Sequence, residues 1–168
     1  MQRQNIIDLS LTELEEFCLE LGLKPFKAKQ IWNWIYCFGK TNFQEMTNLD
    51  KKTRELLNES SFIFRPKINS VHKSKDGTIK WLLEMDDKSL IETVFIPQGK
   101  RGTICISSQV GCTLSCTFCN TGTQKLVRNL STYEILGQIF TVIDHLNDWP
   151  MGKSNRKVTN LVMMGMGE

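Results

Sequence analysis

The chain has 168 residues, 40% of them hydrophobic and 23% charged, and a net charge of +3. That is the size of one ordinary domain or two small ones, with the composition of a soluble globular protein. No run of about 18 apolar residues is present to cross a membrane, and the opening MQRQNIIDLSLTELEEF lacks the apolar stretch of a secretory leader. The expectation is a cytoplasmic protein without membrane contact. In that reducing setting its six cysteines serve metal binding or catalysis rather than lasting disulfides. Basic residues are spread thinly, and clusters such as KPFKAK (Lys24 to Lys29) read as solvated helix faces, so charge alone does not point to nucleic acid.

Residues 1–60 read as helical. Ser10 and Glu13 form an S-x-x-E capping box, and Leu11, Leu14, Phe17, Cys18 and Leu21 keep one face until Gly22 ends the helix. A second helix carries Ile31, Trp34, Ile35 and Phe38 before Gly39, and a third begins near Asn48 with Leu49, Leu56 and Leu57. Trp32 and Trp34 read as core or rim aromatics, and Cys18 and Cys37 as inert packing residues.

Residues 61–100 read as a small antiparallel sheet. Asp76-Gly77 is a hairpin signal between PKINSVHKS and TIKWLLEM, where Ile79, Trp81, Leu83 and Met85 alternate as in a half-buried strand. Asp86-Asp87 then turns the chain into SLIETVFIP. There Glu92 shares a strand face with Leu90, Val94 and Ile96. A carboxylate on an apolar face is either a surface position on an edge strand or an acid or base aimed into a pocket, where desolvation would raise its pKa.

Residues 101–168 switch to an α/β pattern. GTICISS reads as a strand and is followed by a cysteine-rich loop. Ser131 and Glu134 make a second capping box opening a helix whose buried side is Ile135, Leu136, Ile139, Phe140 and Ile143. VTNLVMMGMGE reads as a second, fully buried parallel strand that breaks into glycines. The fold class expected is thus α+β followed by α/β.

The loop VGCTLSCTFCNTG holds Cys112, Cys116 and Cys119 in the spacing C-x3-C-x2-C. Structural zinc takes four closed ligands, commonly two C-x2-C pairs or two cysteines with two histidines. With only His72 and His145 far away, this is a poor zinc site. An iron–sulfur cluster suits three close thiolates better, and a 4Fe–4S cluster with three cysteine ligands keeps one iron open to a substrate or cofactor. Cys105 is a weaker candidate for a fourth ligand, since it sits within the predicted strand.

The C-x3-C-x2-C spacing, with Phe118 before the last cysteine, resembles the signature of the radical S-adenosylmethionine superfamily. There the open iron chelates S-adenosyl-L-methionine, whose reductive cleavage yields a 5′-deoxyadenosyl radical. GMGE (Gly165 to Glu168) stands where that superfamily places a glycine-rich, acid-ended contact to the methionyl amine: glycines let backbone approach, and a carboxylate faces a cation. The segments QIWNWIY, NFQEMTNL, SKDGTIKWLL, IETVFIP, CISSQVGC, RNLSTYEILGQI and TNLVMMGMGE resemble the RlmN family nearly end to end.

That resemblance implies a radical methyltransferase acting on carbon 2 of adenosine in 23S rRNA and in tRNA, fed by an external electron donor such as flavodoxin and monomeric when full length. It implies a helix-hairpin-helix-like RNA-binding domain at 1–60, a connecting sheet at 61–100, and the start of a partial (βα)6 barrel at 101–168. It assigns Cys112, Cys116 and Cys119 as cluster ligands and Phe118, Gly167 and Glu168 to cofactor binding. It makes Glu92 the proton acceptor and Cys105 the thiol that releases the protein–RNA adduct through a transient disulfide. The methyl-carrying cysteine of the family would lie beyond Glu168, so the resemblance marks the chain as the front of such an enzyme, inactive alone. The rival readings are a carbon-8 methyltransferase of the related Cfr type and a non-catalytic iron–sulfur or RNA-binding module.

Overall fold

A computed structural model describes residues 3–114, 116, 117, 119 and 121–167. The chain divides into two units, Met1–Phe64 with Trp149–Ser154, and Arg65–Asp148 with Asn155–Glu168.

The first unit is built on three helices, as the apolar periodicity requires: α1 (Leu11–Glu20), α2 (Phe26–Tyr36) and α3 (Lys51–Ser60). The Ser10 box forms: the Glu13 amide donates to Ser10 Oγ at 3.3 Å, and the Ser10 amide donates to the Glu13 carboxylate at 2.7 Å. Asp50 caps α3 by accepting from the Thr53 amide at 3.0 Å and also pairs with Lys27. Leu14, Phe17 and Cys18 of α1 and Ala28, Ile31 and Ile35 of α2 form the buried faces. Phe38 is not on that face: α2 ends at Tyr36, and the Gly39 amide bonds back to the Ile35 carbonyl, which leaves Phe38 exposed.

Two features of this unit escape sequence reading. The two-residue strands β1 (Gln4–Asn5) and β2 (Ser61–Phe62) pair in parallel. In addition, Trp149–Ser154 returns to the helices, where the Met151 amide donates to the Cys37 carbonyl at 2.8 Å and the Trp149 indole lies against Gly39.

The second unit holds a five-stranded sheet. Its strands are β3 (Lys67–Lys73), β4 (Ile79–Glu84), β5 (Leu90–Gln98), β6 (Arg101–Cys105) and β9 (Asn160–Val162), side by side in that order. The first four are antiparallel, and β9 runs parallel to β6. Segments 61–100 and 101–168, read separately in the sequence, therefore contribute strands to one sheet, because β5 and β6 pair from Val94–Cys105 to Gln98–Arg101. Between β6 and β9 come β7 (Gln109–Val110), β8 (Arg128–Asn129) and α4 (Thr132–His145).

Period 2 sorts the faces. Trp81, Leu83, Ile91, Thr93, Phe95 and Ile104 are buried on the face that meets α4. Leu82, Glu92 and Val94 lie half-buried on the other.

Two expectations need correction here. The buried side of α4 is not the apolar row expected: Ile135, Leu136 and Ile139 are half-buried, whereas Glu134, Gln138 and Thr141 are buried beside Phe140 and Ile143. Partners for Glu134 and Gln138 make this possible, since a buried polar group is tolerated when its hydrogen bonds are met. The strand at VTNLVMMGMGE is neither long nor fully buried. Only Asn160–Val162 pairs, at the sheet edge, and Leu161, Met163 and Met164 are about half exposed.

Candidate active site

β5 is an inner strand, with β4 on one side and β6 on the other, which rules out the edge-strand reading of Glu92. Its pleat puts Glu92 on the face away from α4, beside Val94, lining a cavity of about 470 Å³. Cys105, which ends β6 and pairs across to Val94, lines the same cavity. Lys80, the neighbour of Val94 on β4, reaches the Glu92 carboxylate, with Nζ 2.8 Å from Oε1.

The cysteine loop forms the next wall. Gly111 opens it with φ +75°, and no side chain fits there because a Cβ would overlap the Lys125 carbonyl. β7 and β8 close its base through the pairs Gln109–Asn129 and Val110–Arg128. Inside the loop the Cys112 amide donates to the Gln124 carbonyl at 3.1 Å, and the Cys119 amide to the Cys116 carbonyl at 3.1 Å. Cys112, Cys116 and Cys119 all line the cavity with Glu92 and Cys105. All six cysteines, Cys105 among them, are free thiols in the structure.

The last wall is the glycine turn after β9. Gly165 and Met166 line the cavity, and the segment Ile106–Gln109 holds them through backbone bonds. The Gly165 amide donates to the Ile106 carbonyl at 3.0 Å, and the Met166 carbonyl accepts from the Ser108 and Gln109 amides at 2.8 and 3.1 Å. Gly167 follows with φ +98°. Phe118 and Glu168, expected to contact the cofactor, lie outside the described residues.

The donor set suits a cluster: three thiols within one short loop, on one cavity that also holds a carboxylate and a glycine turn. Among the described residues, however, no three potential ligands are gathered closely enough to hold a metal ion.

Sequence reasoning missed the groups that frame these walls. Arg128, at the return of the cysteine loop, donates to both oxygens of Glu134 at 2.8 Å and to Asp87 at 2.8 Å. Burial alone would raise the Glu134 pKa, but the Arg128 and Ser131 hydrogen bonds outweigh it and hold the group below its ordinary value. Gln138, one turn further along α4, bonds Thr93 and both backbone groups of Ser107. The available signal was a polar pair at i, i+4 (Glu134 and Gln138) inside an otherwise apolar helix.

Residues 4–63 match the family model described as the ribosomal RNA large subunit methyltransferase N-terminal domain. The chain is 47% identical over 165 residues to the dual-specificity RNA methyltransferase RlmN of Rhodospirillum rubrum, covering 98% of this chain and 39% of that protein. It is 48% identical over 181 residues to the RlmN of Rhodopseudomonas palustris, covering 99% of this chain and 45% of that protein. The crystal structure of a radical SAM methyltransferase from Sphaerobacter thermophilus superposes with a TM-score of 0.86 at 36% identity, over 98% of this chain and 47% of that one. The chain thus spans less than half the length of these relatives.

Proposed function

From a chain related to the RlmN methyltransferases over nearly its whole length, we propose that it forms the cluster-binding and proton-accepting part of a radical S-adenosylmethionine enzyme that methylates RNA. The target is carbon 2 of adenosine in 23S rRNA and tRNA. The observation that carries this reading is one cavity lined by Cys112, Cys116, Cys119, Cys105 and Glu92, with the Gly165–Met166 turn across from them.

A 4Fe–4S cluster held by three thiolates would keep one iron open to S-adenosylmethionine and would supply the electron for its reductive cleavage. Cys112, Cys116 and Cys119 are the ligands. The Gly165–Gly167 turn offers backbone at close range to the amino-acid end of S-adenosylmethionine, with Glu168 as the carboxylate for its amine and Phe118 as a further cofactor-binding residue.

Glu92 takes the proton that leaves the adenine carbon. It is an ionisable oxygen on the cavity side of a rigid inner strand, and Lys80 holds one of its oxygens. Cys105, on the neighbouring strand, is the thiol that releases the product. The helical unit contributes RNA binding, and a flavodoxin-like donor supplies electrons.

The test is anaerobic purification of the intact protein with iron and sulfide analysis, followed by mass spectrometry of treated RNA. Cys112→Ala, Cys116→Ala and Cys119→Ala should each abolish bound iron and sulfide. Glu92→Gln should retain the cluster and lose methylation, since an amide cannot accept the proton. Zinc without iron or sulfide would sink the radical reading, and 8-methyladenosine in place of 2-methyladenosine would move the assignment to the carbon-8 enzymes.

A further inference from the structure

Ser107 stands at a junction of the cavity walls. It is fully buried, and the Gln138 side chain grips both of its backbone groups: the Ser107 amide donates to Gln138 Oε1 at 2.9 Å, and Gln138 Nε2 donates to the Ser107 carbonyl at 2.9 Å. Gln138 Oε1 also accepts from the Thr93 hydroxyl at 2.9 Å, and Nε2 makes a longer bond of 3.4 Å to the Glu134 carbonyl. Its hydrogen-bonding capacity is then used in full.

The Ser107 hydroxyl bridges two segments that line the site. It donates to the Glu92 carbonyl at 2.8 Å and accepts from the Met166 amide at 3.1 Å. A Cβ added at Gly165 would stand 2.7 Å from the same oxygen, so the glycine there is what lets the turn close on Ser107.

We propose that Ser107 is a positioning residue. Set by Gln138, its hydroxyl locks the backbone carrying Glu92 to the Gly165–Gly167 turn, so that the proton acceptor and the S-adenosylmethionine contact keep one spacing. The roles of those two walls rest on the proposed function; the lock itself is a property of the fold. A single hydroxyl is a suitable lock because it can donate to one wall while accepting from the other, and burial shields both bonds from water.

Three variants of the intact protein test this: Ser107→Ala, Gln138→Leu and Gln138→Glu. Two readouts are needed, namely hydrogen-exchange protection of the Met166 amide and S-adenosylmethionine affinity after cluster reconstitution. Ser107→Ala should lower Met166 protection about tenfold or more and weaken S-adenosylmethionine binding by a similar factor, with iron content unchanged.

Gln138→Leu strands the Ser107 backbone groups and the Thr93 hydroxyl and can fail to fold, so Gln138→Glu is the decisive companion. A buried glutamic acid keeps a donor for the Ser107 carbonyl only while protonated, and its burial raises its pKa. The charged groups packed nearby, Glu134 and its partner Arg128, have pKa values shifted away from neutrality and stay ionised across the range used. Glu92, on β5, points its carboxylate to the opposite sheet face and is present equally in the parent.

In Gln138→Glu, Met166 protection should be near the parent value at about pH 5.5 and fall as pH rises towards 8, while the parent's protection factor stays flat. A merely space-filling role for Gln138 predicts no such profile. If the parent fails to bind S-adenosylmethionine, the proposed function falls while the exchange data still judge the lock. If the parent binds it and Ser107→Ala leaves both readouts unchanged, the lock is wrong.

Discussion

Cys18 and the loop cysteines show how environment divides one residue type between packing and chemistry. Cys18 is fully buried, and burial, with the charge of Glu15, pushes its thiol up to about 11. At pH 8 only about one molecule in a thousand would carry the reactive thiolate. Brief iodoacetamide treatment of the folded protein should therefore modify the half-buried Cys112 and Cys116 and leave Cys18 untouched. Peptide mass spectrometry reads the result, and labelling of Cys18 at the same rate would show that the α1–α2 packing opens. Cys18→Ala should leave iron content unchanged and lower stability by about 1 kcal/mol, the loss of a small buried group. Gly39 makes a similar point about backbone. It holds φ +68° against the Trp149 indole, so Gly39→Ala meets both left-handed strain and overlap. Urea unfolding should show a loss of about 2–3 kcal/mol, and an unchanged midpoint would mean that Trp149 does not pack there.

Among the elements, α4 does more than cover the sheet: its first turn fixes β8, the return of the cysteine loop, through Arg128. Arg128 lies between Glu134 and Asp87, and its hydrogen bond leads the causes that hold the Asp87 carboxyl well below the usual range. Both carboxylates have folded pKa values below their ordinary 4.5 and 3.8. Their stabilisation is therefore present above those values and is lost as pH falls through the depressed folded ones. Unfolding free energy should drop steeply below about pH 4.5, and Glu134→Gln should flatten that slope while lowering stability at pH 7. Arg128→Ala should remove about 2 kcal/mol at pH 7, because it strands a nearly buried carboxylate; the one-third exposure of Arg128 keeps the loss modest. Urea titrations at a series of pH values decide both. These elements also mark where sequence reading stops. The Ser10 box, the Asp76-Gly77 hairpin and the period-2 face of β4 were legible because each is set by neighbours in the chain. The buried face of α4 was not, because Glu134 and Gln138 are buried only by virtue of partners at Arg128, Thr93 and Ser107. The return of Trp149–Ser154 to the helices depends on Gly39 and Cys37, more than 100 residues earlier, and has no local sign.

At the scale of the whole molecule, the candidate site combines local and non-local parts, and these should separate in experiment. The three loop cysteines span eight residues between β7 and β8, so their spacing was visible in the sequence and their capture of iron needs little else. That Glu92, Cys105 and the Gly165–Met166 turn share their cavity follows from strand order, which the β5–β6–β9 pairing displays and which the sequence, with 61–100 read apart from 101–168, did not reveal. One side of the unit remains bare. Leu161, in register with the buried Ile104, is 47% exposed, and Met163 and Met164 are 50% and 61% exposed. Single exposed apolar residues are ordinary, but Leu161 on the edge strand and Met163 just after it form an apolar edge that more protein normally covers, while Met164 lines the cavity. The relatives are more than twice as long as this chain, as coverage of 39% and 45% of their lengths requires. A purified polypeptide of these 168 residues should therefore bind iron and sulfide under anaerobic reconstitution, yet form no 2-methyladenosine when it is the only protein supplied with RNA, S-adenosylmethionine and a reductant. Iron and sulfide analysis checks the first half, and nucleoside mass spectrometry the second. Failure to take up iron would show that the loop needs more of the fold than β7 and β8, whereas 2-methyladenosine in that reaction would mean that these residues alone carry the methyl transfer.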